Sequence, residues 1–296
     1  MRGWADFVRQ GSIPEDLTRE KPIIALYGGY QVGKSTLMNC LSEKYVSLAG
    51  KGLATTSLTS RYRYGDRDTL RYQSVQGGLQ DTSLAEIRNR DFIRNIDTRC
   101  GFSLEAETPA EILRLCDIVD TPGYDANEED NTVALRALGH VHYILFVVPN
   151  RGMEQKEKEL LLTITRQGIP VSILMNCSEG RREERWIPEH EWNKEIAASC
   201  ESWLTSMDIT PIPIKGNAVY LCNFLFFWSQ MEDFQRSVKD IDRPDTVHRH
   251  IAATLSEEGY GNSREEIIRL SGVRELVNSL TNLVNGYDPI SHQIGR

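Results

Sequence analysis

One run of nine residues, Gly28-Gly29-Tyr30-Gln31-Val32-Gly33-Lys34-Ser35-Thr36, limits what this chain can fold into more than any other stretch. It matches G-x-x-x-x-G-K-[ST]. The residues before it, Ile23-Ile24-Ala25-Leu26-Tyr27, read as a short strand, and Leu37, Met38 and Leu41 recur after it at helical spacing. Strand, Gly-rich loop and helix in that order turn the pattern into a phosphate cradle. Glycine at 28 and 33 permits backbone angles and close approach that a side chain blocks. Successive backbone N–H groups of residues 28–36 then converge on an anion, and the helix start adds its unpaired N–H groups and dipole. Lys34 is expected to reach the β- and γ-phosphates of a nucleotide, and the Ser35 hydroxyl to ligate Mg²⁺.

The rest of the composition narrows the class. A chain of 296 residues can be one large domain or two small ones, with a core that needs neither disulfides nor metals. Its 42 acidic residues outnumber 34 basic ones, for a net charge of −8. That argues against broad charge-driven binding to nucleic acid or anionic lipid, and no nucleic-acid partner is indicated. The six cysteines (40, 100, 116, 177, 200, 222) show no C-x-x-C and no Cys/His ligand spacing, which reads as reduced thiols and a cytoplasmic setting. Met1–Glu20 is mixed polar and charged, unlike a signal peptide, and no apolar run reaches the roughly 18 residues that a spanning helix needs.

Along the chain, residues 1–20 read as an amphipathic helical lead-in carrying Trp4, Phe7 and Val8, and residues 21–286 as the main domain. Leu58–Tyr64 alternates like a strand. A threonine in the loop before it is placed to sense phosphate, with its hydroxyl on Mg²⁺ and its N–H on the γ-phosphate. Thr56 is the choice, with Thr55 next. Residues 66–111 lengthen the usual connection, with a strand at Leu70–Val75, a break at Gly77-Gly78 and a helix over Ser83–Asp97. Arg88, Arg90 and Arg94 of that helix lie among acidic residues and read as a solvated face.

Ile112–Val119 reads as a second buried strand, ending in Asp120-Thr121-Pro122-Gly123. Alone, that tetrapeptide is a turn. At the tip of an apolar strand downstream of a phosphate loop it is D-x-x-G, in which Asp120 holds Mg²⁺ through water and the Gly123 N–H meets the γ-phosphate. The acidic run 124–131 follows where a second nucleotide-sensing loop belongs. Then come a helix over 132–139, a strand at Tyr143–Val148, a helix over Met153–Gln167 and a strand at Val171–Met175. This alternation predicts an α/β fold in three layers, a mostly parallel central sheet with helices on both faces. Ligands in such sheets bind at the carboxyl ends of the strands.

Asn176-Cys177-Ser178-Glu179 follows the last of these strands. A guanine site usually reads N-K-x-D here. Asn176 is kept, Cys177 replaces the lysine, and Glu179 offers the carboxylate that accepts from guanine N1–H and N2–H₂. Beyond a helix in Trp186–Leu204, Ile209–Ile214 reads as the last strand. Asn217 and Ala218 then stand where guanine-binding folds place a backbone N–H against the base O6. The most apolar window, Ala218–Trp228, reads as a buried helix within a helical elaboration over 219–262. Ser263–Val284 gives one or two helices around Gly272, and 287–296 a loose tail.

Taken in order, Gly33–Leu41, Ala54–Thr56 before Arg63-Tyr64-Gly65, Val119–Tyr124, the Asn176–Glu179 loop and Ser271–Leu276 make the chain resemble a GTPase of the translation-factor-related class. It is most similar to bacterial dynamin-like and Era/TrmE-like GTPases. The resemblance implies GTP and GDP as ligands, Mg²⁺ as cofactor, and Lys34 and Thr56 among the catalytic groups. Small GTPases orient the attacking water with a Gln directly after D-x-x-G, and here that residue is Tyr124. In dynamin-like relatives, P-loop residues act after two G domains meet across their nucleotides. The matching positions are Gly29, Tyr30 and Gln31, of which Gln31 alone carries a carboxamide. The resemblance thus implies a homodimer across the nucleotide face, or a partner protein or membrane-associated complex. Dynamin-like proteins carry a long helical stalk after the G domain and the resemblance does not extend to one, so the expectation is a stand-alone G domain or a partner of a longer protein, and membrane remodelling is not carried over. An ATPase of similar build and a non-hydrolysing nucleotide-dependent scaffold stay open as alternatives.

Overall fold

The structure is a computed structural model that describes residues 21–44, 46–47, 58–97, 102–124, 134–177, 188–209, 219–222, 256–257, 259–261, 266 and 269–286. The apolar run before the glycines forms β1 (Ile23–Gly28), and the loop hands over to α1 (Lys34–Ser42). Next come β2 (Ser60–Tyr64), β3 (Thr69–Gln73), β4 (Leu79–Ser83), a 3₁₀ segment at Leu84–Arg88, α2 (Arg90–Ile93) and β5 (Leu104–Thr108). The second half runs α3 (Ile112–Leu115), β6 (Asp117–Asp120), β7 (Tyr143–Pro149), α4 (Gln155–Thr165), β8 (Val171–Asn176), α5 (Glu191–Ser206), β9 (Val219–Cys222) and α6 (Val273–Asn285).

The strands make one mixed sheet in the order β4-β3-β5-β2-β6-β1-β7-β8-β9. From β6 to β9 every pairing is parallel, whereas β2 runs antiparallel to β6 and parallel to β5. Alternation along β1 sorts the two faces. Ile24 and Leu26 join the core under α1, α3 and α6, with Leu37, Met38, Leu113 and Leu276. Ala25 and Tyr27 join the core under α4 and α5, with Leu160, Ile164 and Leu204. Three layers result, with β1 near the middle of the sheet and the start of α1 held against its carboxyl end.

Four expectations change. Ile112–Val119 is not one strand: a helical turn (α3) comes first, extended Cys116 breaks it, and β6 starts at Asp117. Ile112, Leu113, Leu115 and Ile118 are all buried, so the run carries no period to separate helix from strand. The helix expected over Ser83–Asp97 is split at Asn89, whose side chain accepts from Asp91 N and Phe92 N and so starts a new short helix. The connection 66–111 holds strands β4 and β5 in addition to the one expected near 70–75, and these carry the sheet three strands beyond β2. Finally, the window at 219 opens as strand β9, paired with β8 from Ile173–Val219 to Asn176–Cys222, where a helix was expected. A fully apolar run of four fits a buried parallel strand as well as a helix. The expected strand over 209–214 and the lead-in over 1–20 lie outside the described residues, Ile209 excepted. Among the described residues no helix is long and apolar enough to cross a membrane.

Candidate nucleotide-binding site

The site lies at the carboxyl ends of β1, β6 and β8. Gly28 ends β1 and Lys34 begins α1, with Gly33 at φ 96° as the joint between loop and helix. Lys34 is 4% exposed, and its Nζ donates to the Gly28 and Gly29 carbonyls at 3.2 and 2.7 Å. Burial lowers its pKa to about 8, while Asp120 and Glu157 pull it back up. The ammonium is therefore buried beside the loop whose N–H groups are expected to face phosphate. Val32 is buried, Thr36 is half-buried in the first turn of α1, and Tyr30 and Gln31 are exposed on the rim, with Gln31 at φ 59°.

Ser35 and Asp120, 85 residues apart in sequence, meet: Ser35 Oγ donates to Asp120 Oδ2 at 2.7 Å. A second hydroxyl, Ser47 Oγ, donates to the same oxygen at 2.7 Å. The other carboxylate oxygen, Asp120 Oδ1, is buried without a hydrogen-bond partner among the described residues. Burial pushes the Asp120 pKa up, and the Ser47 and Ser35 hydroxyls and Lys34 oppose that rise. A buried carboxylate oxygen left unmatched is costly unless something positive faces it. Next to a serine hydroxyl, it is the donor set that Mg²⁺ takes when phosphates and water supply its remaining ligands. The residues present fit that ion.

The segment after Asp120 is tied to the phosphate loop through backbone. Tyr30 N donates to Tyr124 O and Tyr124 N to Gly28 O, both at 3.1 Å, which makes a short parallel bridge between Gly29 and Tyr124. A Cβ on Gly123 would meet Tyr30 Cα at 2.7 Å, so only glycine lets the two segments touch. From β8, Asn176 Nδ2 donates to Val32 O at 2.8 Å, and a Cβ on Gly33 would come within 2.1 Å of that nitrogen. Asn176 thereby ties the end of β8 to the Gly28–Thr36 loop.

Lys34, Ser35, Asp120, Gly123 and Asn176 thus converge on one end of the sheet. Thr56, Glu179, Asn217 and Ala218 lie outside the described residues. Strand β9 is described from Val219 onward. It starts at Val219 beside Ile173 and reaches the level of Asn176 at Cys222.

Sequence reasoning missed three contributors. Asn39 lies one helical turn beyond Ser35, and that i, i+4 spacing was the available signal. Ser47 carried no signal, being a lone serine between Val46 and Leu48 with no motif around it. Glu157 is 5% exposed at the start of α4, within a capping box with Glu154, and a Cβ on Gly29 would meet its Oε1 at 2.6 Å. The E-x-x-E spacing of Glu154 and Glu157 could have marked the cap.

Residues 23–177 match the family model described as 50S ribosome-binding GTPase. Dynamin-like protein 2 of Campylobacter jejuni is 27% identical over 136 residues, which cover 45% of this chain and 22% of that protein. A solved structure of an oligomerised bacterial dynamin pair, described as sensing and tethering membranes at long range, matches with a TM-score of 0.50 and 16% identity. It covers 86% of this chain and 42% of its own. Era of Aquifex aeolicus, solved with GDP and aluminium fluoride, gives a TM-score of 0.38 at 17% identity, over 65% of this chain and 50% of its own. The chain spans less than half the length of the dynamin relatives it matches.

Proposed function

Because the chain belongs to the 50S ribosome-binding GTPase family, we propose that it binds GTP with Mg²⁺, hydrolyses it to GDP and phosphate, and works as a nucleotide-controlled switch. The observation that carries this reading is the buried trio Lys34, Ser35 and Asp120, with Asp120 Oδ1 left unmatched at the end of the central strands. Lys34 and the backbone N–H groups of residues 28–36 stabilise charge on the transferring phosphate. Ser35, Asp120 and Thr56 would hold Mg²⁺. Bound there, the ion neutralises charge on the β- and γ-phosphates. Gly123 and the 121–132 segment, together with residues 50–60, report whether the γ-phosphate is present.

Base selection rests on Asn176 and Glu179, in a cytoplasmic protein. The described cysteines Cys40, Cys116, Cys177 and Cys200 are buried thiols, which supports a reducing compartment. The test is the equilibrium affinity for GTP and ATP with Mg²⁺, in wild type and Glu179→Ala. GTP is expected to bind more tightly, and the substitution to erase the preference, a loss on the order of 100-fold where a site built to hydrogen-bond the base loses its acceptor. Equal binding of both nucleotides, unmoved by Glu179→Ala, would instead favour an ATPase of the same fold.

Hydrolysis needs a group to orient water. Tyr124 packs partly buried against the α4/α5 core and offers no carboxamide. Gln31, exposed on the rim, supplies one when a second copy or a partner covers the nucleotide face. Phosphate release per mole of protein is therefore expected to rise with protein concentration and to fall with Gln31→Ala. A rate that is negligible at every concentration would favour a non-hydrolysing scaffold, the reading that Tyr124 supports. The partner, protein or membrane-associated, would engage this same face.

A further inference from the structure

We infer that Ser47 is a positioning residue for the metal-binding carboxylate: it holds Asp120 Oδ2 so that Oδ1 stays turned toward the cation, and Asn39 holds Ser47 in place. This rests on the Mg²⁺–nucleotide reading of the site. Ser47, in the connection between α1 and β2, is 4% exposed, whereas serines are mostly exposed. After α1 the chain reverses through Glu43 at φ 53° and returns along the helix. Asn39, 3% exposed, clamps it there with three hydrogen bonds. Its Oδ1 accepts from Val46 N and Ser47 N, and its Nδ2 donates to Ser47 O, all at 2.8 Å.

Those bonds fix the backbone of Ser47 at both its N–H and its carbonyl. The turn therefore does not need the Ser47 hydroxyl. That hydroxyl is spent on Asp120. The carboxylate is held asymmetrically as a result, with two short bonds from Ser35 and Ser47 on Oδ2 and none from the described residues on Oδ1. Ser35 and Asn39 stand one turn apart on α1, so a single helix face sets both the metal hydroxyl and the clamp behind its partner. Ser47 acts on the metal through Asp120, as hydrogen-bonded groups behind metal ligands do elsewhere, where their loss weakens the metal by roughly 10- to 100-fold.

The test follows release of N-methylanthraniloyl-GDP from wild type, Ser47→Ala, Ser47→Cys and Ser47→Thr, with free Mg²⁺ titrated and a parallel series in EDTA. Ser47→Ala is expected to raise the Mg²⁺ concentration for half-maximal retention about tenfold, at the low end of that range, with release in EDTA unchanged. Ser47→Cys, a weaker donor of similar size, moves it the same way by less. Ser47→Thr, which keeps the hydroxyl, returns it to within about twofold of wild type. A midpoint that stays put in Ser47→Ala and Ser47→Cys, while wild type responds to Mg²⁺, overturns the inference alone. So does a change confined to release in EDTA, which would mean a purely structural serine. Wild type that fails to bind the probe, or holds it without regard to Mg²⁺, overturns the metal-site reading and this inference together.

Discussion

Gly28→Ala is expected to destabilise the domain by about 4 kcal/mol or more, a cost confined to mechanisms such as buried backbone collision. Gly28 pairs with Val147 where β1 meets β7, near the middle of the sheet. A Cβ there would lie 2.2 Å from the Val147 carbonyl oxygen and 3.2 Å from both its carbon and Val32 Cγ2. The obstacle is backbone in a fully buried strand, so it cannot swing aside as a side chain does. The residue also sits at φ 146°, where alanine is strained in any surroundings. Set against a total of roughly 5–15 kcal/mol, that loss removes much of the folded population. Urea unfolding checks it, with Gly77→Ala alongside. Gly77 has φ 96°, and a methyl group added there would meet no described atom within 4 Å, so only strain of about 1 kcal/mol is expected. Similar midpoints for the two variants would mean that β1 and β7 do not meet in this register.

Lys34→Ala is expected to lower GTP affinity on the order of 100-fold while leaving the fold intact. Charge-assisted hydrogen bonds to phosphate oxygens are each worth about 1.5–3 kcal/mol, and in the proposed function the lysine meets the β- and γ-phosphates. Within the protein its Nζ donates to two loop carbonyls, and burial outweighs the pull of Asp120 and Glu157, which draws its pKa down to about 8. Removing it therefore takes away little that stabilises the protein without nucleotide. Calorimetric titration with GTP and Mg²⁺ measures the first effect, and thermal unfolding without nucleotide the second. Affinity within about fivefold of wild type would place the phosphates elsewhere. A collapse of the unfolding midpoint would make Lys34 structural.

What could be read from the residues, and what could not, divides along physical lines. The strand–loop–helix around Gly28–Thr36 was legible because its backbone demands are written in residue type, with glycine where a side chain would collide. The order Lys34, Asp120, Asn176 was legible because parallel strands bring such positions to one edge. The Ile112–Val119 run misled because burial on every side leaves no alternation to follow, and Val219–Cys222 misled because an unbroken apolar run of four has no period either. β5 is different. Leu104, Ala106 and Thr108 are buried, with Glu105 half-buried and Glu107 exposed between them, and this period of two was available in the sequence. β4 shows almost no burial pattern, since an edge strand with Leu79 64% exposed gives composition nothing to report. Ser47 was out of reach altogether, because its role depends on a turn that brings it back over Asn39.

The bridge between Gly29 and Tyr124 carries one more consequence. The Gly28–Thr36 loop and the segment following Asp120 are stitched by main-chain amides and carbonyls, Tyr30 N to Tyr124 O and Tyr124 N to Gly28 O. Communication written in the peptide backbone is indifferent to most spelling changes at positions 30 and 124. The two hydrogen bonds themselves each need only an amide and a carbonyl, whichever side chain is attached. Proline, which has no amide hydrogen to give, would unpick one of them at either place.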